Sequence, residues 1–135
     1  MKPADQVLQI LKTCTGPSRH VDFQIAQHIG WKEHTKPLSR GGDNKAVWLD
    51  PETKEPRKVP VFTRDVQQAF LLLRYLAPDS AGAATTSNGV ARVVIDELGE
   101  VEAPTLALAM CQAALLILSK LQSNESQTGL EIPKN

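Results

Sequence analysis

"VARVVIDELGEVEAPTLALAMCQAALLILS", residues 90–119, holds the two strongest structural signals of the chain and the junction between them. Residues 90–96 are dense in β-branched side chains, a pattern that suits a pleated strand. "ELGEVEAP" then reads as a turn that admits the start of another short strand at Val101. Pro104 opens a helix that runs to about Leu121 and is apolar on nearly every side until Ser119. A helix of that kind is buried on more than one face, either at the centre of the domain or partly in an interface between copies.

Working outward, residues 4–14, "ADQVLQILKTC", place Val7, Leu8, Leu11 and Cys14 at helical offsets of three and four. Gly16 stops that helix, Pro17 cannot continue it, and Ser18 caps the next. Val21, Ile25 and Ile29 recur every four residues, Phe23 and Ala26 widen the face, and Gly30 ends it. Residues 32–60 change character, being charged and rich in Pro and Gly, with one strand candidate at Ala46–Leu49 between turn signals. Part of this segment is expected to be a mobile flap. An extended entry at Val59–Phe62 follows, with Thr63 as N-cap of a helix from Arg64 to Leu76. Residues 80–89, "SAGAATTSNG", are small and polar and read as a loop. The order predicts an α+β fold, helices packed on a small, mainly antiparallel sheet in a layered sandwich. It forms a single domain over 1–122, with a flexible charged loop at 32–58 and a frayed or disordered tail at 123–135.

The composition narrows the function. A chain of 135 residues buries roughly two-thirds of its unfolded surface. With aromatics at 4%, its core must be aliphatic. Fifteen basic residues balance fifteen acidic ones, which argues against a duplex-DNA binder, whose affinity comes from cations on phosphates. A helix–turn–helix reading of residues 4–30 suffers further because residues 21–30 offer a recognition helix without Arg or Lys. A small anionic ligand is not excluded, since a few converging arginines make a local positive site. Cys14 and Cys111 are expected as buried, reduced thiols. The apolar run from Leu106 is interrupted by Gln112 and falls short of the ~20 residues that span a bilayer. The opening "MKPADQVLQI" lacks the apolar run of a secretory segment, so a cytoplasmic protein with no membrane attachment is expected.

Ser18, His20 and Asp22 invite a catalytic reading, but on a helix their spacing of two points them in different directions. His20, Asp22, His28 and His34 lack metal-ligand spacing, so no enzyme, metal or cofactor is expected. An anion site has more to recommend it. Ser18 caps a helix that begins Arg19-His20, and Thr63-Arg64 repeats hydroxyl plus arginine at the next helix start. Two such termini would suit a ligand with two phosphates. The competing structural reading is an Arg19–Asp22 ion pair, and for Arg64 a solvated first-turn residue. Trp31, Trp48 and Phe62 lie beside turns where a ring face can stay open for stacking, whereas Phe23 and Phe70 fall on apolar helix faces. Arg40 and Lys45 bracket "GGDN" just before Trp48, as in a basic flap that closes on a phosphate. The expected ligand set is therefore Arg19, Arg40, Lys45, Trp48, Phe62, Thr63 and Arg64.

Three blocks in order, "LKTCTGPSRHVDFQIAQHIG", "VFTRDVQQAFLLLRYLAP" and "EAPTLALAMCQAALLILSKL", resemble the small phage and prophage proteins of the phage alpha-beta-alpha sandwich domain family. The TGPSR turn is the most distinctive match, while the middle block departs from the family's "SLDAALxL" pattern. The resemblance implies a phage origin and a non-enzymatic protein. By analogy of size and origin, it points to nucleotide sponges of the anti-Thoeris and anti-CBASS type. The function expected is sequestration of a cyclic oligonucleotide or cyclic ADP-ribose derivative by a homo-oligomer. The alternative is an accessory module that binds a host or virion protein.

Overall fold

The computed structural model describes residues 3–36, 45–96 and 98–131, with side chains described for 4–34, 47–96 and 98–121. The elements are α1 (Pro3–Thr13), α2 (Arg19–His28), β1 (Lys32–Lys36), β2 (Lys45–Leu49), α3 (Val66–Leu76), β3 (Gly82–Ser87), β4 (Val90–Ile95), β5 (Gly99–Ala103) and α4 (Leu106–Glu131). β1 and β2 form one antiparallel pair, and β3-β4-β5 form an antiparallel meander. The fold is α+β, as the sequence predicts.

α4 is the axle of the domain. All but one of the residues from Ala107 to Ser119 are buried, and the coverage comes from α1, α3, β4 and β5 of the same chain. From Ala107 to Ser119 its all-round apolar character thus marks the centre of the domain. The helix continues to Glu131 instead of ending near Leu121, so the expected tail is helical in its first part. α1 lays Ala4, Val7, Leu8 and Leu11 against the core, and the Ser119 hydroxyl donates to Asp5 Oδ1 to tie the two helices together.

β4 alternates as its composition demands, with Ala91, Val93 and Ile95 turned to the core and Arg92 and Val94 turned out. The outward Arg92 Nε donates to Glu102 Oε1 at 2.8 Å and lies 3.4 Å from Glu100, lacing β4 to β5. β3 joins β4 through Asn88 (φ 53°) and Gly89 (φ 76°), a two-residue turn with both residues left-handed, which matches the twist of the flanking strands.

Two expected loops are strands. Residues 82–87 pair with β4 although all six are exposed. A strand with neither face buried has no hydrophobic alternation to read. β1, "KEHTK", likewise carries no apolar residue, yet it pairs with β2 from Lys32↔Leu49 to Lys36↔Lys45. The charged segment 32–58 therefore contains a β-hairpin with two ordered strands. α3 begins at Val66, not Arg64, and its cap is Asp65, whose Oδ1 accepts from the N–H groups of Gln67 (2.8 Å) and Gln68 (3.3 Å).

Candidate functional site: the α2–β2 corner

α2 begins where the sequence predicts. Ser18 is extended, and its Oγ accepts the Val21 N–H at 3.3 Å. The first turn then does something the sequence did not disclose. Asp22 is 2% exposed and collects three donors: Thr63 N–H at 2.9 Å, Thr63 Oγ1 at 2.8 Å and Arg19 Nη1 at 3.0 Å. Thr63 Oγ1 also accepts the Ser18 N–H at 2.9 Å. Thr63 is thus no helix cap but a bolt that fixes the Val59–Thr63 segment to the start of α2.

Arg19 completes the clamp. Besides Asp22 it donates from Nη1 to Pro60 O (3.1 Å) and from Nη2 to Val59 O (2.6 Å). The ion pair that competed with an anion contact is formed, and the remaining guanidinium donors used here go to backbone carbonyls. Its guanidinium lies 4.7 Å from the centroid of Phe23, and Phe23 in turn stacks on Trp48 with centroids 5.3 Å apart and planes 6° apart. The result is a continuous Arg19–Phe23–Trp48 stack from α2 to β2.

This stack borders an open cleft of about 540 Å³, whose other walls are Val47, Pro56, Arg57, Lys58 and Val59. That volume falls within the range of about 300–1,000 Å³ usual for small-molecule sites. Arg57 Nη1 sits 2.9 Å from Asp50 Oδ2 with its side chain 63% exposed, and Lys58 makes no ion pair with any described residue. Asp50 in turn is fixed by the N–H groups of Glu52 (2.7 Å) and Thr53 (3.3 Å). The Glu52 hydrogen bond, then those from Thr53 and Arg57, holds its carboxyl below the usual value of 3.8 against the opposing effect of burial.

Of the seven residues expected to hold a ligand, Arg19 and Trp48 meet at this cleft. Thr63 is 1% exposed and does not line this cleft. Phe62 (4% exposed) and Trp31 (7%), also weighed as a stacking ring, are largely buried and line a separate cleft of about 280 Å³ on the other side of Arg57. Arg64 is exposed in the turn before the α3 cap, and that helix N-terminus is already occupied by the Asp65 carboxylate. Arg40 lies outside the described residues, as does the side chain of Lys45. Arg57 and Lys58 were missed because they sit in an irregular, mixed-charge segment where no periodicity singles them out. Phe23 and Phe70, assigned to the core, are half-buried and 44% exposed respectively.

Asp22 is buried and engaged by Thr63 and Arg19, while His20 is exposed. Among the described residues no group of three His, Cys, Asp or Glu side chains could hold a metal ion. Cys111 is buried with its Sγ donating to Phe62 O at 3.3 Å, and burial above all pushes its thiol well above its ordinary pKa. Cys14 is only half-buried, contrary to expectation. No helix among the described residues is long and apolar enough to cross a membrane. The arrangement defines a small α+β protein with a basic, aromatic-bordered surface cleft. Comparison with family models, curated proteins and solved structures finds no match to the chain.

Proposed function

We propose that the protein binds and holds a nucleotide-type ligand at the α2–β2 corner without transforming it. The observation that carries this reading is the Arg19–Phe23–Trp48 stack at a cleft that also offers Arg57 and Lys58. A flat base adds to an aromatic stack whatever its sequence identity, and phosphates favour adjacent cations. Arg19 acts here as a positioning residue: its charge is spent on Asp22 and two carbonyls, and it fixes Phe23 beneath Trp48. Ligand phosphates fall to Lys58 and Arg57. The choice of a cyclic oligonucleotide or cyclic ADP-ribose derivative rests on the resemblance of the TGPSR turn and the last helix to the phage family, and on the analogy with phage-encoded sponges.

The test is to incubate the purified protein with cyclic dinucleotides, cyclic trinucleotides and cyclic ADP-ribose isomers, remove free ligand, denature by heat and analyse what is released. Intact ligand recovered only after denaturation is the expected result, with retention lost in Trp48→Ala and weakened about tenfold in Lys58→Ala. Chemically altered ligand would replace the sponge by an enzyme. Retention of no member of the panel would remove the reading. The second reading, a protein-interaction module, draws on a separate observation: α3 exposes Val66, Phe70, Leu71 and Tyr75, each between 42% and 57%.

A further inference from the structure

Independently of any ligand, one side of the molecule is built for pairing. β3 is an edge strand, bonded to β4 on one side and to no described strand on the other. Ala81 O accepts the Asp96 N–H at 3.0 Å, and Ser87 and Val90 close the two-residue turn. Alternation along an antiparallel ladder then turns the N–H and C=O groups of Gly82, Ala84 and Thr86 away from β4 toward open solvent. Natural sheets blunt such an edge with charge, proline or a bulge. The opposite edge, β5, obeys the rule with Glu100 and Glu102. β3, "GAATTS", has no charge and no proline, and it pairs with β4 in unbroken register.

The flank of α3 that overlooks this edge is apolar as well. Phe70, Leu73 and Arg74 face Gly82, Ala83 and Ala84 across a groove of about 300 Å³. Phe70 is 44% exposed there, with the Arg74 guanidinium 6.0 Å from its ring centroid.

We propose that β3 pairs antiparallel with β3 of a second copy, joining two three-stranded sheets into one six-stranded sheet about a twofold axis at Ala84. The occupant is a second copy because the edge is self-complementary. Opposed residues of an antiparallel pair share a face, and Gly82, Ala84 and Thr86 form the inner face, opposite Ile95, Val93 and Ala91. Centring on Ala84 therefore sets Gly82 against Thr86, Ala83 against Thr85 and Ala84 against Ala84. The outward-pointing backbone groups of Gly82, Ala84 and Thr86 thereby meet one another, and no like charges are opposed. A β3–β5 pairing would be head-to-tail and would not close, whereas the twofold arrangement consumes both free β3 edges. It also keeps both helical layers on one side of the joined sheet, which brings each exposed Phe70 and its groove to the seam.

Sedimentation of the full chain from about 1 µM to about 500 µM tests this, with dimer expected at the upper end of the range. Ala83→Lys/Thr85→Lys sets lysines against lysines across the axis and should abolish the dimer. Ala83→Lys/Thr85→Glu sets each lysine against a glutamate and should retain it. Both variants change only exposed side chains, and circular dichroism checks that the fold is kept. Ala84→Pro removes one outward N–H at the axis and should weaken association at least tenfold. A monomer at every concentration would overturn the proposal, as would a dimer indifferent to the lysine pair and to Ala84→Pro, which would place the contact elsewhere.

Discussion

Replacing Thr63 by valine tests the bolt between α2 and the Val59–Thr63 segment with almost no change of shape. The side chain is buried, and valine fills the same volume without a hydroxyl. The hydroxyl accepts one hydrogen bond and shares its single proton between Asp22 Oδ1 and, at 3.1 Å, Ser18 O, and all of this disappears. The Ser18 N–H loses its acceptor at 2.9 Å, and Asp22 loses one of three donors, the 2.8 Å hydroxyl. An unpaired buried N–H costs about 1–3 kcal/mol, and a hydrogen bond to a charged group contributes about 1.5–3 kcal/mol. Since Asp22 keeps the Thr63 N–H and Arg19, its loss belongs at the low end, and the expected destabilisation is about 2–4 kcal/mol. For a domain of this size that lowers Tm by roughly 6–16 °C. Urea unfolding at constant slope is the assay, with Thr63→Ser as control because it keeps the hydroxyl and gives up only a methyl group, at about 1 kcal/mol. Asp22→Ala should cost more, about 3–5 kcal/mol, since it leaves Arg19 and both Thr63 donors without their acceptor in a buried site. A loss below about 0.5 kcal/mol in Thr63→Val would refute the reasoning, because it would mean that the hydroxyl is replaced by water at no cost.

Three further outcomes follow from the geometry. In native protein a thiol reagent should modify the half-buried Cys14 first, while Cys111, buried and protonated, reacts only on unfolding; equal rates for both would contradict the placement of α4. Asp50→Asn should destabilise the protein at neutral pH. Because the folded Asp50 carboxyl titrates below its unfolded value near 3.8, its contribution is complete above that pH and is lost as pH falls through the folded value; the gap between wild type and Asp50→Asn, followed by thermal unfolding, should close on acidification. Gly89→Val places a β-branched residue at φ 76° and should cost about 1–2 kcal/mol in chemical denaturation, whereas the same change at a strand position with negative φ would not.

The elements most legible in the sequence are those whose burial imposes a period. α1 follows from Val7, Leu8 and Leu11, α2 from the Ser18 cap with Val21 and Ile25, and β4 from Val93 and Ile95; the structure places all these apolar residues in the core. The illegible ones, β1 with no apolar residue and β3 with every residue exposed, are strands held by backbone hydrogen bonds, which any side chains can accompany. The start of α3 was misplaced because Thr63 and Asp65 are both good caps, and the hydroxyl of Thr63 had a buried carboxylate to serve 41 residues away. The same long-range demand decided the candidate site. Sequence alone placed Arg19 at a helix start and Trp48 on a strand, and named Asp22 as a partner for Arg19. Only the tertiary structure could bring Phe23 between Arg19 and Trp48, bury Thr63, set Phe62 apart from the stack, and put Arg57 and Lys58 beside it. Local sequence determines where the backbone satisfies itself and which face must leave water. Which exposed or buried polar groups then meet depends on contacts distant in the chain, and no local pattern records them.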